Sequence, residues 1–229
     1  MSRLQHGIRL TTTLKRRTTV TIRVTQPVRD SIHHAVRYLT SSRTIEKCHG
    51  PPLLSTGKSG KLTTNLSGRD ELSITGTYHK AQWNASGEIP LRAVNDGSLD
   101  RFGAIDPSEG GKTMRSTAKL NYHYDTMSGG QFFANAYAQH YQLDLYTNFT
   151  YFQNDPVNGD GIVQSDRRVM YGGDFGYKQR GDVFGLPSIG SIGFQARVDD
   201  IHAKLGTQTT RVMTGTTTDT DILEASYAP

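Results

Sequence analysis

The residues best suited to chemistry sit in two stretches rich in glycine, asparagine and aspartate. Asp155, Asn158 and Asp160 offer oxygen ligands of the kind calcium takes. Aligned to the twelve-residue calcium loop, position one falls on Pro156 and position twelve on Arg167, and neither can ligate. A surface turn explains the same residues. Gly110-Gly-Lys-Thr113 resembles the end of a phosphate loop, but the first glycine of that motif would fall on Asp106. It reads as a loop entering a strand. Asp166, Arg167, Arg168 and Arg180 could grip a carboxylate or phosphate. The competing reading is a cluster of ion pairs at a rim. His33 and His34 are adjacent and point apart, while His79, His123 and His140 fall on separate strands. The chain contains no H-E-x-x-H, C-x-x-C or G-x-S-x-G element. The expectation is no enzyme, no metal and no cofactor.

The elements that must position these residues are strands. Lys61 to Leu66 is a short one. Glu71 to Trp83 follows, with Leu72, Ile74, Gly76 and Tyr78 on one face. Thr113 to Asp125 sets Met114, Ala118, Leu120, Tyr122 and Tyr124 opposite Arg115, Thr117, Lys119, Asn121 and His123. Gln131 to Leu145 sets Phe133, Tyr137, Tyr141, Leu143 and Leu145 opposite Phe132, alanines and His140. Asp166 to Lys178 puts Val169, Tyr171, Phe175 and Tyr177 on one face. Ser188 to Ala203 sets Ile192, Phe194, Ala196 and Val198 opposite Gln195, Arg197 and Asp199. Such period-two alternation marks strands between two unlike environments. Short connections are expected at Gly68-Arg69-Asp70, at Met127 to Gly130, and between Gln179 and Ser188. Long ones are expected from Asn84 to Lys112, from Tyr146 to Val163, and from Leu205 onward. Tight turns on one rim and long loops on the other are the plan of an outer-membrane barrel.

Composition agrees with that plan. The hydrophobic fraction is 34%, low for a globular core. No run approaches the ~18 apolar residues of a spanning helix. The 24 glycines suit a chain with many turns. Cys48 is the only cysteine, so no internal disulfide exists. Residues 1–56 carry ten basic and two acidic residues, leaving 16 and 19 for the remainder, so a head of +8 precedes a body of −3. The head contains a strand-like run, Thr18 to Thr25, and a possible helix, Asp30 to Leu39. It shows no apolar signal-peptide core. Its one aromatic residue, Tyr38, gives it no stacking pattern, so no nucleic acid is expected as partner.

Two features separate a membrane barrel from a soluble sandwich. The strands run about ten residues or more, enough to cross a bilayer at a tilt, where the modal soluble strand has about 5–6. Aromatic residues also gather near strand ends: Tyr78, Tyr122, Tyr124, Tyr141, Phe175 and Tyr177. Barrels place such residues at the membrane interfaces. Arg115, Lys119, Arg197 and Asp199 would be costly facing lipid, so they are expected in a wet lumen.

The loops carry further signal. Ala81-Gln-Trp83, Glu88-Ile-Pro90, Arg92 to Gly97, Arg101 to Gly111, Asn148 to Asp160 and Gln164 to Arg168, in that order between alternating strands, resemble the barrel portion of TonB-dependent outer-membrane receptors. The resemblance covers roughly Lys58 to Leu205. It implies an outer-membrane location, lipid as partner, and a share in uptake of a siderophore or similar solute. It also implies a roughly 22-stranded barrel with an N-terminal plug, energised by the TonB complex. The chain departs from that pattern: no TonB box and no plug is found, and there is room for about six to eight strands. The expected fold is all-β, with antiparallel up-and-down strands of a partial transmembrane barrel over residues 57–229. Residues 1–56 are expected to be irregular, and their charge contrast is consistent with a different reading frame. Candidate ligand contacts are Trp83, Arg101, Phe102, Phe149, Tyr151 and Phe152, with Arg167 and Arg168. The alternatives are a soluble β-sandwich module binding carbohydrate or another ligand, and the non-functional product of a truncated gene.

Overall fold

Glycine-punctuated alternation builds a single antiparallel meander. The structure, a computed structural model, describes residues 35–45 and 53–229. Eight strands follow one another in chain order, each paired with the next: β1 (Ala35–Ile45), β2 (Leu53–Thr64), β3 (Asp70–Asn84), β4 (Gly110–Asp125), β5 (Gly130–Thr147), β6 (Ile162–Val183), β7 (Leu186–Thr209) and β8 (Val212–Ala228). β1 and β8 do not pair, so the sheet is unclosed. A five-residue helix, α1 (Leu91–Asn95), sits in the β3–β4 loop. No described helix is long and apolar enough to cross a membrane.

One rim is tight. Its connections are residues 65–69, 126–129 and 184–185, the last a two-residue hairpin with positive φ at Phe184 and Gly185. The opposite rim carries the loops 85–109 and 148–161. The third long loop, expected from Leu205 onward, is not there. β7 continues to Thr209, turns at Thr210 and Arg211, and returns as a 17-residue strand. Threonines dominate this segment, and Thr favours strands without supplying an apolar rhythm. Its turn has φ of 50° at Thr210 and 68° at Arg211, a conformation that Asn-Gly usually signals. The possible helix over Asp30 to Leu39 is also corrected. Residues 35–39 begin β1, which pairs with β2 from Ala35 opposite Thr63 to Ile45 opposite Leu53. Strand pairing overrides a weak local helix pattern. The Thr18 to Thr25 run, His33, His34 and Cys48 lie outside the described residues.

Register sorts the side chains onto two faces. One row reads Leu62, Ile74, Leu120, Ala136, Gly173, Ala196, Tyr227 across seven strands. Rows on either side read Leu72, Tyr122, Ala134, Phe175, Phe194 and Gly76, Ala118, Ala138, Tyr171, Val198, Ala225. This face is open: Phe175, Ile192 and Leu223 are 61%, 76% and 74% exposed. The other face is polar. Thr75, Lys119, Tyr137, Gly172 and Arg197 form one of its rows, and Ser73, Asn121, Asn135, Asp174 and Gln195 another. Ser73, Ala81, Met170, Asp199 and Ile201, all buried, belong to it. Arg115, Lys119, Arg197 and Asp199 share this polar face. In β5 the register assigns the larger aromatics, Phe133, Tyr137 and Tyr141, to the polar face, and Phe132 with Ala134, Ala136 and Ala138 to the apolar one.

Cross-strand bonds tie the polar face together. Asn121 Nδ2 donates to Asn135 Oδ1 at 2.6 Å, and Asn135 Nδ2 to Asp174 Oδ2 at 2.8 Å. Within β7, Arg197 pairs with Asp199 at 2.8 Å. Tyr137 lies over Gly172, where an added Cβ would stand 2.9 Å from the Tyr137 hydroxyl and 2.6 Å from the Ala196 carbonyl oxygen. The aromatic ring thus fills a slot that only glycine leaves open.

Candidate ligand site at the loop rim

The two long loops meet over the ends of β3, β4 and β5. Asn148 is the hinge of that meeting. Its backbone N–H donates to Glu109 Oε1 at 2.9 Å, and its side-chain amide donates to Asp106 Oδ2 at 2.8 Å. The Tyr151 hydroxyl donates to the Glu88 carbonyl, and Ala85 N–H to the Glu109 carbonyl at 3.0 Å. Asn148 is 2% exposed and Glu109 is 4% exposed. Between the loops lies a cavity of about 140 Å³ whose lining includes Glu109, Asn148, Tyr146, Phe149 and Tyr151. Gly87, at φ 59°, closes one side, and a Cβ there would fall 2.0 Å from Glu109 Oε2.

The charges in this cluster respond to their surroundings in opposite ways. Burial pushes the Glu109 carboxyl up, and the neighbouring Asp106 charge adds to this against the Asn148 N–H bond. Burial also pushes Asp106 up, but hydrogen bonds from Ser108 and Asn148, with the Arg211 charge, hold it below the usual carboxylate range. Among the described residues, Glu109 Oε2 and Asn148 Oδ1 have no hydrogen-bond partner. Unmet buried acceptors of this kind are uncommon in folded chains.

Arg211 locks the rim from the far side of the sheet. From the strained β7–β8 turn its Nε donates to the Ser108 carbonyl at 2.7 Å. Its Nη2 donates to Asn84 Oδ1 at 2.7 Å and to the Glu109 carbonyl at 2.9 Å. The guanidinium also lies 5.4 Å from the Tyr146 ring centre. Its own N–H donates to Gln208 Oε1 at 2.6 Å. A non-glycine pair at positive φ persists only where surrounding contacts enforce it, and these contacts do so.

The candidate contacts read from sequence divide. Phe149 and Tyr151 line the cavity. Trp83 stands over Gly111, where an added Cβ would fall 2.6 Å from its ring. Phe152 packs near Gly159 in its own loop. Arg101 and Phe102 are exposed in a separate turn. Arg167 and Arg168 fall on opposite faces. Arg167 makes two bonds to Asp144, at 2.7 and 2.9 Å, and Arg168 Nε bonds Asp166 at 2.9 Å. These arginines are already neutralised within the sheet. Of the six aromatics expected from the sequence to lie at membrane interfaces, Tyr78, Tyr122, Tyr124, Phe175 and Tyr177 share the apolar face. Tyr141 falls on the polar one, with the Arg115 and Arg168 guanidinium carbons 5.1 and 5.9 Å from its ring centre.

Asp155 and Asp160, two of the oxygen-bearing residues of the β5–β6 loop, are hydrogen-bonded within that loop. Asp160 accepts bonds from Thr150, Asn154 and Asp155, and Asp155 accepts them from Val157 and Asn158. Among the described residues no three or more histidine, cysteine, aspartate or glutamate side chains converge as a metal-holding group. Glu109 and Asn148 lie within the loop stretches Arg101 to Gly111 and Asn148 to Asp160, yet neither is singled out there as a contact, and Arg211 lies outside every such stretch. No family model, curated protein or solved structure matches this chain.

Proposed function

We propose that this chain forms part of the wall of a TonB-dependent outer-membrane transporter, with its long-loop rim outside the cell and its polar face toward the solute path. The observation that carries the reading is the continuous exposed apolar band. Along β6 it runs from Tyr177 to Val169, eight rises of ~3.4 Å or about 27 Å. Tilted by ~40°, that covers ~21 Å, near the ~25 Å band of outer-membrane barrels. The last row of the band, at Val169, already admits His140 and Asp200, and the rows beyond it are polar: Gln142, Arg167 and His202, then Lys112, Asp144 and Lys204. A water-facing surface would carry no such layering. The described residues form one sheet with no second sheet packed against it, which favours lipid over a sandwich core as the covering of the apolar face. The loop motifs, rather than the sheet, supply the family in this reading and the uptake of a siderophore or similar solute.

The test is fractionation of cells expressing the chain with an outer-membrane targeting signal. The reading expects recovery in the outer-membrane fraction, with detergent needed to extract it. Recovery as a soluble monomer in detergent-free buffer would refute it.

A further inference from the structure

We propose that the cavity between the β3–β4 and β5–β6 loops binds a primary ammonium group, the head of a small alkylamine or of an amine-bearing ligand. Two oxygens of residues lining one cavity, Glu109 Oε2 and Asn148 Oδ1, lack donors, and their side chains are more than nine-tenths buried. A primary ammonium brings three N–H donors and one positive charge. It satisfies both oxygens and neutralises the Glu109 carboxylate, which burial otherwise penalises. Glu88 adds a second carboxylate to the wall, and among the described residues no lysine or arginine lines the cavity. Phe149 and Tyr151 supply aromatic surface suited to a cation. At about 140 Å³ the space takes a head group and a short stem, not a large solute. Gly87 keeps this space open, since any side chain there would meet the Glu109 carboxylate. The site rests on loop geometry alone, so it stands or falls separately from the membrane reading.

The experiment follows the backbone amide of Asn148, which donates to Glu109 Oε1, by NMR of the full chain in detergent micelles. Ethylammonium chloride is titrated against tetramethylammonium chloride and sodium chloride at equal ionic strength. The expected result is a saturable shift with ethylammonium alone, since the tetramethyl ion has no N–H to donate. Glu109→Gln should weaken it by about tenfold or more, the scale of one lost charged hydrogen bond. In the wild-type chain the affinity should rise with pH as Glu109 ionises, a result that needs no variant to fold. Equal shifts with tetramethylammonium or sodium, unchanged affinity in Glu109→Gln, or a pH-independent response would each overturn the proposal.

Discussion

Gln195 and Ala196 are neighbours in β7, both exposed, and they face opposite ways. Ala196 lies in the central apolar row, between Gly173 and Tyr227. Gln195 lies on the polar face opposite Asp174. In water, arginine at either position is a surface substitution, worth about 0.5 kcal/mol or less. In a bilayer the two diverge. Arginine at the midplane of a barrel's lipid face costs about 2–4 kcal/mol, which lowers the folded-to-unfolded ratio about 30- to 900-fold. Arginine at Gln195 meets the Asp174 carboxylate across the strand pair and costs little. The assay is urea unfolding of Ala196→Arg and Gln195→Arg in phospholipid vesicles, read by fluorescence of Trp83, the single tryptophan. The expected gap between the variants is about 2–4 kcal/mol. Equal stabilities in vesicles would refute the assignment of the two faces.

Three further outcomes follow from the loops and the sheet. Arg211→Gly keeps a residue suited to φ 68° while stripping donors from the Ser108 and Glu109 carbonyls and from Asn84; amide hydrogen exchange at the loop rim should accelerate, matching a loss of about 2–4 kcal/mol, and unchanged exchange would show the clamp to be idle. Glu109 has its folded pKa raised, so its contribution is present below the unfolded pKa and is lost as pH rises through the folded value. Asp106 has its folded pKa lowered, so its contribution is present above the unfolded pKa and is lost as pH falls through the folded value. Asn148 amide protection should therefore decline on both sides, and Glu109→Gln should abolish the alkaline decline only. Gly172→Ala drives a Cβ to 2.6 Å from the Ala196 carbonyl oxygen, so unfolding should shift by about 1–3 kcal/mol, whereas Gly181→Ala, with open space around it, should shift far less.

Much of the sheet was legible because period-two alternation is a property of single strands. β3, β4, β6 and β7 show it over most of their length, and the structure pairs them in chain order. The faces were harder. In β5 both sides carry aromatics, and only the register of Phe133 with His123 and of Ala136 with Leu120 decides which side is which. β8 was missed because threonine favours strands without marking a face, and because the Thr210–Arg211 turn lacks its usual residues. The cavity was half legible: Phe149 and Tyr151 stood out as loop aromatics. Glu109 and Asn148 are 39 positions apart, and Arg211 reaches Ser108 across 103. No local pattern encodes contacts at such range.

The central claim is that the row from Val169 to Tyr177 alternates between lipid and water. It is tested most directly by nitroxide scanning of β6. With Cys48 replaced by serine, single cysteines from 168 to 177 are spin-labelled in vesicles, and collision rates with oxygen and with a water-soluble nickel chelate are compared. The account predicts period-two behaviour: oxygen dominates at 169, 171, 173, 175 and 177, and the nickel chelate at 168, 170, 172, 174 and 176. Nickel access at every position, with no alternation, would contradict it.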